Sequence, residues 1–385
     1  MAEPRGVNVN LGPSLLATSV LLALGLAPAA GVPGRVREAL RNDLPSRADA
    51  ERMERGYYER LTAPRSPAAP GDGDAALPGH AETVKVEIGR LARSVDDVRE
   101  FVLRENLSQD PGRRIPWSTN AWGMRDEAYA AEKPPGVFRV ALVGDSIAAG
   151  WGVDDRSGFE PLLERAWDDR ARGDGGRVEV LNFAVPGHGP GQRWTHFSTV
   201  GWAFDPDLVV YEATPADTGW DERRLRAGLA RGVGFDAPVY RDVLARSGVR
   251  PGLDADGYKA RLKPLREALL EGVYRAAVGE CKARGVPVVW VLIPRVGKAS
   301  DPGETQALLA LARRSGFDAV VDATGVFDGL DPRDLAVGPA DFHPNAEGHA
   351  RIARALDAAL GGRVGPARAR RPVTEPSGTE GAGPR

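Results

Sequence analysis

Between residues 136 and 360 the apolar positions fall into short unbroken runs separated by longer mixed stretches. The runs are Phe138–Val143 (FRVALV), Val178–Phe183 (VEVLNF), Leu208–Glu212 (LVVYE), Val286–Ile293 (VPVVWVLI) and Phe317–Asp322 (FDAVVD). Being continuous rather than alternating, they read as strands covered on both faces. Helical stretches lie between and after them: Phe159–Arg172, Gln192–Trp202, Lys259–Arg284, Glu304–Arg314 and Ala346–Leu360. Strand and helix taking turns in this way predicts an α/β fold, a three-layer α/β/α sandwich around a five-stranded parallel sheet. In such sheets ligands gather beyond the C-terminal strand ends.

Upstream, residues 82–108 place Val84, Ile88, Leu91, Val95, Val98 and Val102 at partly helical spacing with charges between, which predicts a helix. Residues 35–75 are charged and rich in Pro and Ala, and APRSPAAPGDGDAALPG (63–79) reads as a flexible linker. From Gly361 the chain is nearly devoid of apolar residues and reads as a disordered tail. No charge occurs from Gly6 to Gly34, and LLATSVLLALGL (15–26) is its most apolar part. That length suits the core of a signal peptide, and Ala27-Pro28-Ala29 supplies a cleavage pattern; an uncleaved membrane anchor fits as well. Either one sends the body of the protein out of the cytoplasm, although Arg35, Arg37 and Arg41 pull against that orientation. The expected organisation is thus a signal or anchor (1–34), a linker and helical extension (35–119), a main domain (120–360) and a tail (361–385).

Charge changes this picture little. With 51 Lys+Arg against 53 Asp+Glu the chain is almost neutral, which excludes an overall basic field for nucleic acid. Six of those cations are lysines and the rest arginines scattered along the chain, a bias of composition more than a phosphate-binding surface. A single cysteine, Cys281, excludes an internal disulfide and any Cys-cluster metal site.

The chemistry collects at the predicted strand ends. The first strand runs into Gly144-Asp145-Ser146, a turn that would set Ser146 at the start of a helix, where free N–H groups stabilise an oxyanion. The second runs into Asn182-Phe183-Ala184-Val185-Pro186-Gly187, which brings a second bare amide. Asp341-Phe342-His343-Pro344-Asn345 delivers a carboxylate and an imidazole just before the last helix, with Asn345 as its N-cap. A nucleophile, a base, an orienting acid and two amide donors are therefore all present where a doubly wound sheet would assemble them.

These blocks resemble the SGNH (GDSL-like) hydrolase superfamily, in an exported or membrane-anchored branch. VALVGDSIAAGWGV (140–153) is similar to the block that carries the nucleophile, here Ser146. NFAVPGHG (182–189) is similar to the block with the oxyanion glycine, Gly187, and DFHPNAEGHARIA (341–353) to the block with the acid and base, Asp341 and His343. NAWGMRDEAY (120–129) and KPPGVFRV (133–140) add to the likeness, which spans about 120–360. It implies a flavodoxin-like strand order and a serine esterase that hydrolyses small acyl, O-acetyl-type esters without a cofactor. Its substrate would be a small ester or an acylated carbohydrate, and its oxyanion donors the backbone amides of Ser146 and Gly187. Two departures stand out. In PDLVVYEATPAD (206–217), Ala216 stands where the family has a donating Asn, while Asp217 is kept; Thr214 or Gln192 could stand in. The acid–base spacing is Asp-x-His rather than Asp-x-x-His, so Asp331 or Asp334 is an alternative acid. A catalytically silent carbohydrate- or partner-binding module and an O-acyltransferase on cell-surface glycans are the competing functions.

Each residue also has a plainer reading. Ser146 could merely cap a helix, and Gly144, Gly150 and Gly152 do not match a phosphate-binding loop. His349 reads as structural, His188 as lining the pocket mouth, and His196 as packing. Trp151, Trp194, Trp202 and Trp220 read as core before sugar platforms. Cys281 reads as a buried inert thiol, and no metal is assigned.

Overall fold

The computed structural model describes residues 91–108, 117–235, 237–298, 301–339 and 341–365. A hairpin comes first, with β1 (Ala92–Ser94) antiparallel to β2 (Phe101–Leu103). A five-stranded parallel sheet follows, built of β3 (Val137–Val143), β4 (Arg177–Asn182), β5 (Leu208–Ala213), β6 (Val288–Leu292) and β7 (Ala319–Asp322). Its spatial order is β4-β3-β5-β6-β7, the flavodoxin-like arrangement. The helices are α1 (Phe159–Gly173), α2 (Pro190–Val200), α3 (Asp217–Ala230), α4 (Pro238–Ser247), α5 (Ala255–Leu262), α6 (Arg266–Ala283), α7 (Pro302–Ser315), the single turn α8 (Pro332–Leu335) and α9 (Ala346–Leu360).

The continuous apolar runs have the expected cause. Alternate residues of each strand enter opposite cores, so a strand between two helical layers has no polar face to show. Val140, Leu142, Val210 and Val291 pack with Leu163 and Trp167 of α1 and Ile352 and Leu356 of α9. Their neighbours Ala141, Val143, Tyr211 and Trp290 pack on the other side with Phe197 of α2, Tyr274 of α6 and Leu308 of α7. A smaller cluster of Leu225, Tyr240, Val243 and Leu262 ties α3, α4 and α5 together.

Three expectations need correction. Residues 91–108, read as helical, form the β1–β2 hairpin; the rest of that stretch lies outside the described residues. The apolar residues there satisfy period 2 as readily as 3.6: Phe101 and Leu103 lie on one face, and Leu91, Val102 and Leu103 are buried by the main domain. The stretch Lys259–Arg284 is not one helix. Pro264 lies in a 3-10 turn, Lys263–Leu265, that separates α5 from α6, because proline has no N–H to continue the ladder. Finally, Ser146 does not open an α-helix. A single turn holds it, closed by Ala149 N–H to Asp145 O (2.9 Å) and Trp151 N–H to Ser146 O (2.9 Å), and the next helix begins only at Phe159.

The N-terminal uncharged run, the 63–79 linker and the tail beyond 365 lie outside the described residues; of the tail, Gly361–Arg363 form a 3-10 turn. Among the described residues no helix is long and apolar enough to cross a membrane.

Candidate active site

Three loops meet above the C-terminal ends of the central strands. The loop after β3 carries Ser146. Gly144, at its root, is a glycine by necessity, since a Cβ there would lie 2.4 Å from the Ala148 Cβ and 2.6 Å from Glu212 Oε2. The loop before α9 carries Asp341 and His343, and is fixed where Asn345 caps that helix by accepting from Gly348 N–H (3.0 Å). His343 Nε2 lies 2.8 Å from Ser146 Oγ, and its Nδ1 lies 2.5 Å from Asp341 Oδ1. The same carboxylate oxygen accepts from the His343 backbone N–H (2.9 Å). Since Nδ1–H faces the carboxylate, the Nε2 lone pair is left to accept from the serine hydroxyl. Burial works to raise the Asp341 pKa, but the hydrogen bond from the His343 ring and the charge beside it bring it below the usual carboxylate range. Serine and imidazole are both almost wholly buried.

The loop after β4 carries Gly187, whose φ of +84° turns the backbone in a way that disfavours other residues. The backbone N–H groups of Ser146 and Gly187 donate to no acceptor among the described residues. Ala216 immediately precedes α3 and is half-buried, with only a methyl to offer.

Neither suggested substitute donor is available. The Thr214 hydroxyl donates to Asp217 Oδ1 (3.2 Å). Gln192 Nε2 donates to the carbonyls of Val98 and Arg99 (3.1 Å each), while its Oε1 accepts from Gly189 N–H. Asp331 and Asp334 are not partners of the imidazole. Asp331 is an exposed cap of α8 and pairs with Arg333, and the Asp334 carbonyl accepts from Asn345 Nδ2 (2.8 Å).

His188 does not line a mouth. It is fully buried, donates from Nε2 to Phe101 O (2.8 Å), and has its pKa pushed well down by burial and by neighbouring His196. His196 is lowered to about 4 and His349 to about 3, both chiefly by burial; His349 stacks on Phe159 and accepts from its N–H (3.2 Å). Trp151, Trp194 and Trp220 are buried and Trp202 partly so. The Cys281 thiol is buried and pushed up to about 12 by burial.

One feature escaped the sequence reading: an ionic group under the serine turn. Arg193 of α2 is wholly buried and bonds Asp145 Oδ2 (2.7 Å), Asp217 Oδ2 (2.9 Å) and the carbonyls of His188 and Glu212 (3.1 Å each). Glu212 Oε2 accepts from Asp145 N–H (2.9 Å). Burial, with Asp145 beside it, drives the Glu212 carboxyl well above its usual range and favours the protonated form. Only the block of three acidic strand-end positions, 145, 212 and 217, hinted in the sequence at a buried cation.

A parallel sheet with a serine, an imidazole and a carboxylate linked above its strand ends is the architecture of the SGNH hydrolases. The chain belongs to the GDSL-like lipase/acylhydrolase family, whose model matches residues 142–351. Solved structures resembling it include TesA (17% identity, covering 59% of this chain and 99% of that one, TM-score 0.38). Others are Axe2, an acetylxylan esterase from Geobacillus stearothermophilus (16%, 58% and 94%, 0.39), and LAE5, an alpha/beta hydrolase enzyme from the metagenome of Lake Arreo, Spain (21%, 58% and 95%, 0.39). No curated protein matches the chain.

Proposed function

We propose that the protein is a serine esterase acting on small acyl, O-acetyl-type esters of a carbohydrate or other small alcohol. The observation that carries the reading is the unbroken contact from Ser146 Oγ through the His343 ring to Asp341. In this mechanism His343 Nε2 takes the hydroxyl proton as Ser146 Oγ attacks the ester carbonyl. Asp341 holds the ring in the tautomer that can accept and stabilises the imidazolium that forms. The charge on the carbonyl oxygen is received by the Ser146 and Gly187 N–H groups. The alcohol leaves with the proton from Nε2, and a water activated by the same nitrogen releases the acid. A cavity of about 800 Å³ at the ends of β6 and β7, lined by Arg295, Lys298, Thr305, Asp322 and Phe327, has the mixed polar lining that suits a sugar alcohol. Arg295 of that lining lies over the Phe342 ring at 4.3 Å, and Phe342 stacks on His343 at 4.2 Å. The uncharged run from Gly6 to Gly34 supports a site of action outside the cytoplasm, with that segment as leader or anchor.

The lone methyl of Ala216 favours one other reading, a binding module that has kept the scaffold and lost the chemistry. Release of p-nitrophenol from p-nitrophenyl acetate by the full chain, with Ser146→Ala as control, separates the two. Turnover that vanishes in the variant, together with fluorophosphonate labelling of Ser146, supports the esterase. Equal rates in both proteins eliminate Ser146 as nucleophile.

A further inference from the structure

The family match begins at residue 142, yet the residues before it hold both amide-bearing loops. Arg125 is buried and donates to three carbonyls of the segment that follows Ser146: Ala149 (2.9 Å), Gly150 (2.5 Å) and Val153 (2.6 Å). It is held in turn by Asp155 (2.8 Å) and by the face of Trp117, 4.0 Å from its guanidinium carbon. At the second loop, the hairpin offers three carbonyls to the residues after Gly187. The Phe101 carbonyl accepts from His188 Nε2, and the Val98 and Arg99 carbonyls accept from Gln192 Nε2. Arg224 completes the bracket: it donates to the Gly187 carbonyl, and its guanidinium lies over the Phe101 ring. Thr119 ties the pieces together, accepting from Leu107 N–H (2.9 Å) and donating to the Arg104 carbonyl (2.5 Å).

We infer that Leu91–Ser108 and Trp117–Arg125 form a clasp that fixes the two oxyanion amides, with Arg125 positioning the Ser146 turn and Gln192 and His188 joining the Gly187 loop to the hairpin. The inference rests on the esterase reading. Its physical logic follows from Ala216. With no side-chain donor to share the developing charge, the two backbone donors carry it alone, and their direction matters more. A guanidinium that fastens three carbonyls of one loop supplies that direction, as do an amide and an imidazole that fasten the other. None of these groups touches the substrate, so they act through the peptides they hold.

The test uses the full chain and p-nitrophenyl acetate, a substrate too small to reach the clasp. Arg125→Ala is expected to lower kcat on the order of 10²-fold with KM within about threefold, the mark of a displaced transition-state donor. Millimolar guanidinium, filling the space left by the side chain, is expected to restore at least part of that kcat. Gln192→Leu, which keeps the volume and removes the bonds to Val98 and Arg99 together with the one accepted from Gly189 N–H, gives the same split and decides the matter if Arg125→Ala does not fold. A folded Gln192→Leu with kcat within threefold of the parent, alongside an Arg125→Ala that guanidinium does not rescue, overturns the clasp while leaving the esterase intact. A parent protein without Ser146-dependent turnover overturns the esterase reading itself.

Discussion

Ala216→Asn is the substitution that most directly probes the site. Ala216 precedes α3 with φ −74° and ψ −16° and is half-buried. An asparagine there would bring an amide Nδ2 able to donate. On the proposed mechanism two backbone donors serve the oxyanion, those of Ser146 and Gly187. A third well-placed donor is worth about 10²–10³ in kcat, or roughly 2.7–4 kcal/mol. The full value requires preorganised geometry that this loop has not been shaped around, so a rise in kcat of about tenfold or more is the expected result. KM should move little, since the new bond strengthens only as charge develops. The assay is steady-state release of p-nitrophenol, with Ser146→Ala/Ala216→Asn as control. An unchanged kcat in a folded Ala216→Asn protein whose parent is active would refute the claim that position 216 borders the oxyanion.

Other outcomes follow from the same geometry. Asp341→Asn keeps the shape of the loop and replaces an acceptor of the His343 Nδ1–H; kcat should fall by about 10⁴, measured against Ser146→Ala as the floor. Gly144→Ala forces a methyl into Ala148 and the Glu212 carboxyl, and thermal melts should show a loss of about 1–3 kcal/mol or more. Glu164 lies half-buried against Tyr129, Oη to Oε2 2.7 Å, and desolvation raises its pKa from 4.5 to about 7. A carboxyl raised on folding contributes stability fully present below its unfolded value and lost as pH rises through the folded one. Between pH 4.5 and 7 this group should therefore cost the protein at most roughly 3 kcal/mol, and melting curves of Glu164→Gln should lose that part of the pH dependence.

The sheet was legible because each strand is covered twice: FRVALV and VPVVWVLI have no polar face to confuse the period, and they reappear as β3 and β6 within two residues at either end. The candidate side chains could be placed from the sequence because they sit on short loops directly after such strands or directly before the cap of α9, so that sequence position fixes spatial position. The hairpin was not, since three-residue strands bearing one or two buried side chains leave a pattern that a helix also satisfies. Helices α3 and α4 also went unannounced. Arg224 and Asp221 are charged residues turned inward toward the Gly187 loop, where Gly191 N–H bonds Asp221 (2.8 Å), so α3 has no clean apolar stripe. Arg193 fails for the same reason: in GPGQRWTHF nothing distinguishes an arginine bound for the core from one bound for water.

That arginine also accounts for the combination at 216 and 217, where the donor is gone and the acid remains. If Asp217 served only as neighbour to an oxyanion asparagine, nothing would hold it once Ala216 took that place. In the structure its carboxylate has a separate duty, bonding both terminal nitrogens of Arg193 at 2.9 and 3.1 Å in a wholly buried pair. Burial opposes charge on both partners: for Arg193 the charges of Asp217 and Asp145 more than offset it, whereas Asp217, pushed up by burial and by Asp145, is only partly brought back by Arg193. Removing one member of such a group leaves an uncompensated buried charge, at about 3–5 kcal/mol. Arg193 is in turn the residue that bridges Asp145, next to Ser146, and the His188 carbonyl, next to Gly187. Asp217 is thus kept by the scaffold beneath the two amide loops, whatever stands at 216. A change at position 216 can be absorbed by the fold; a change at Asp217 cannot.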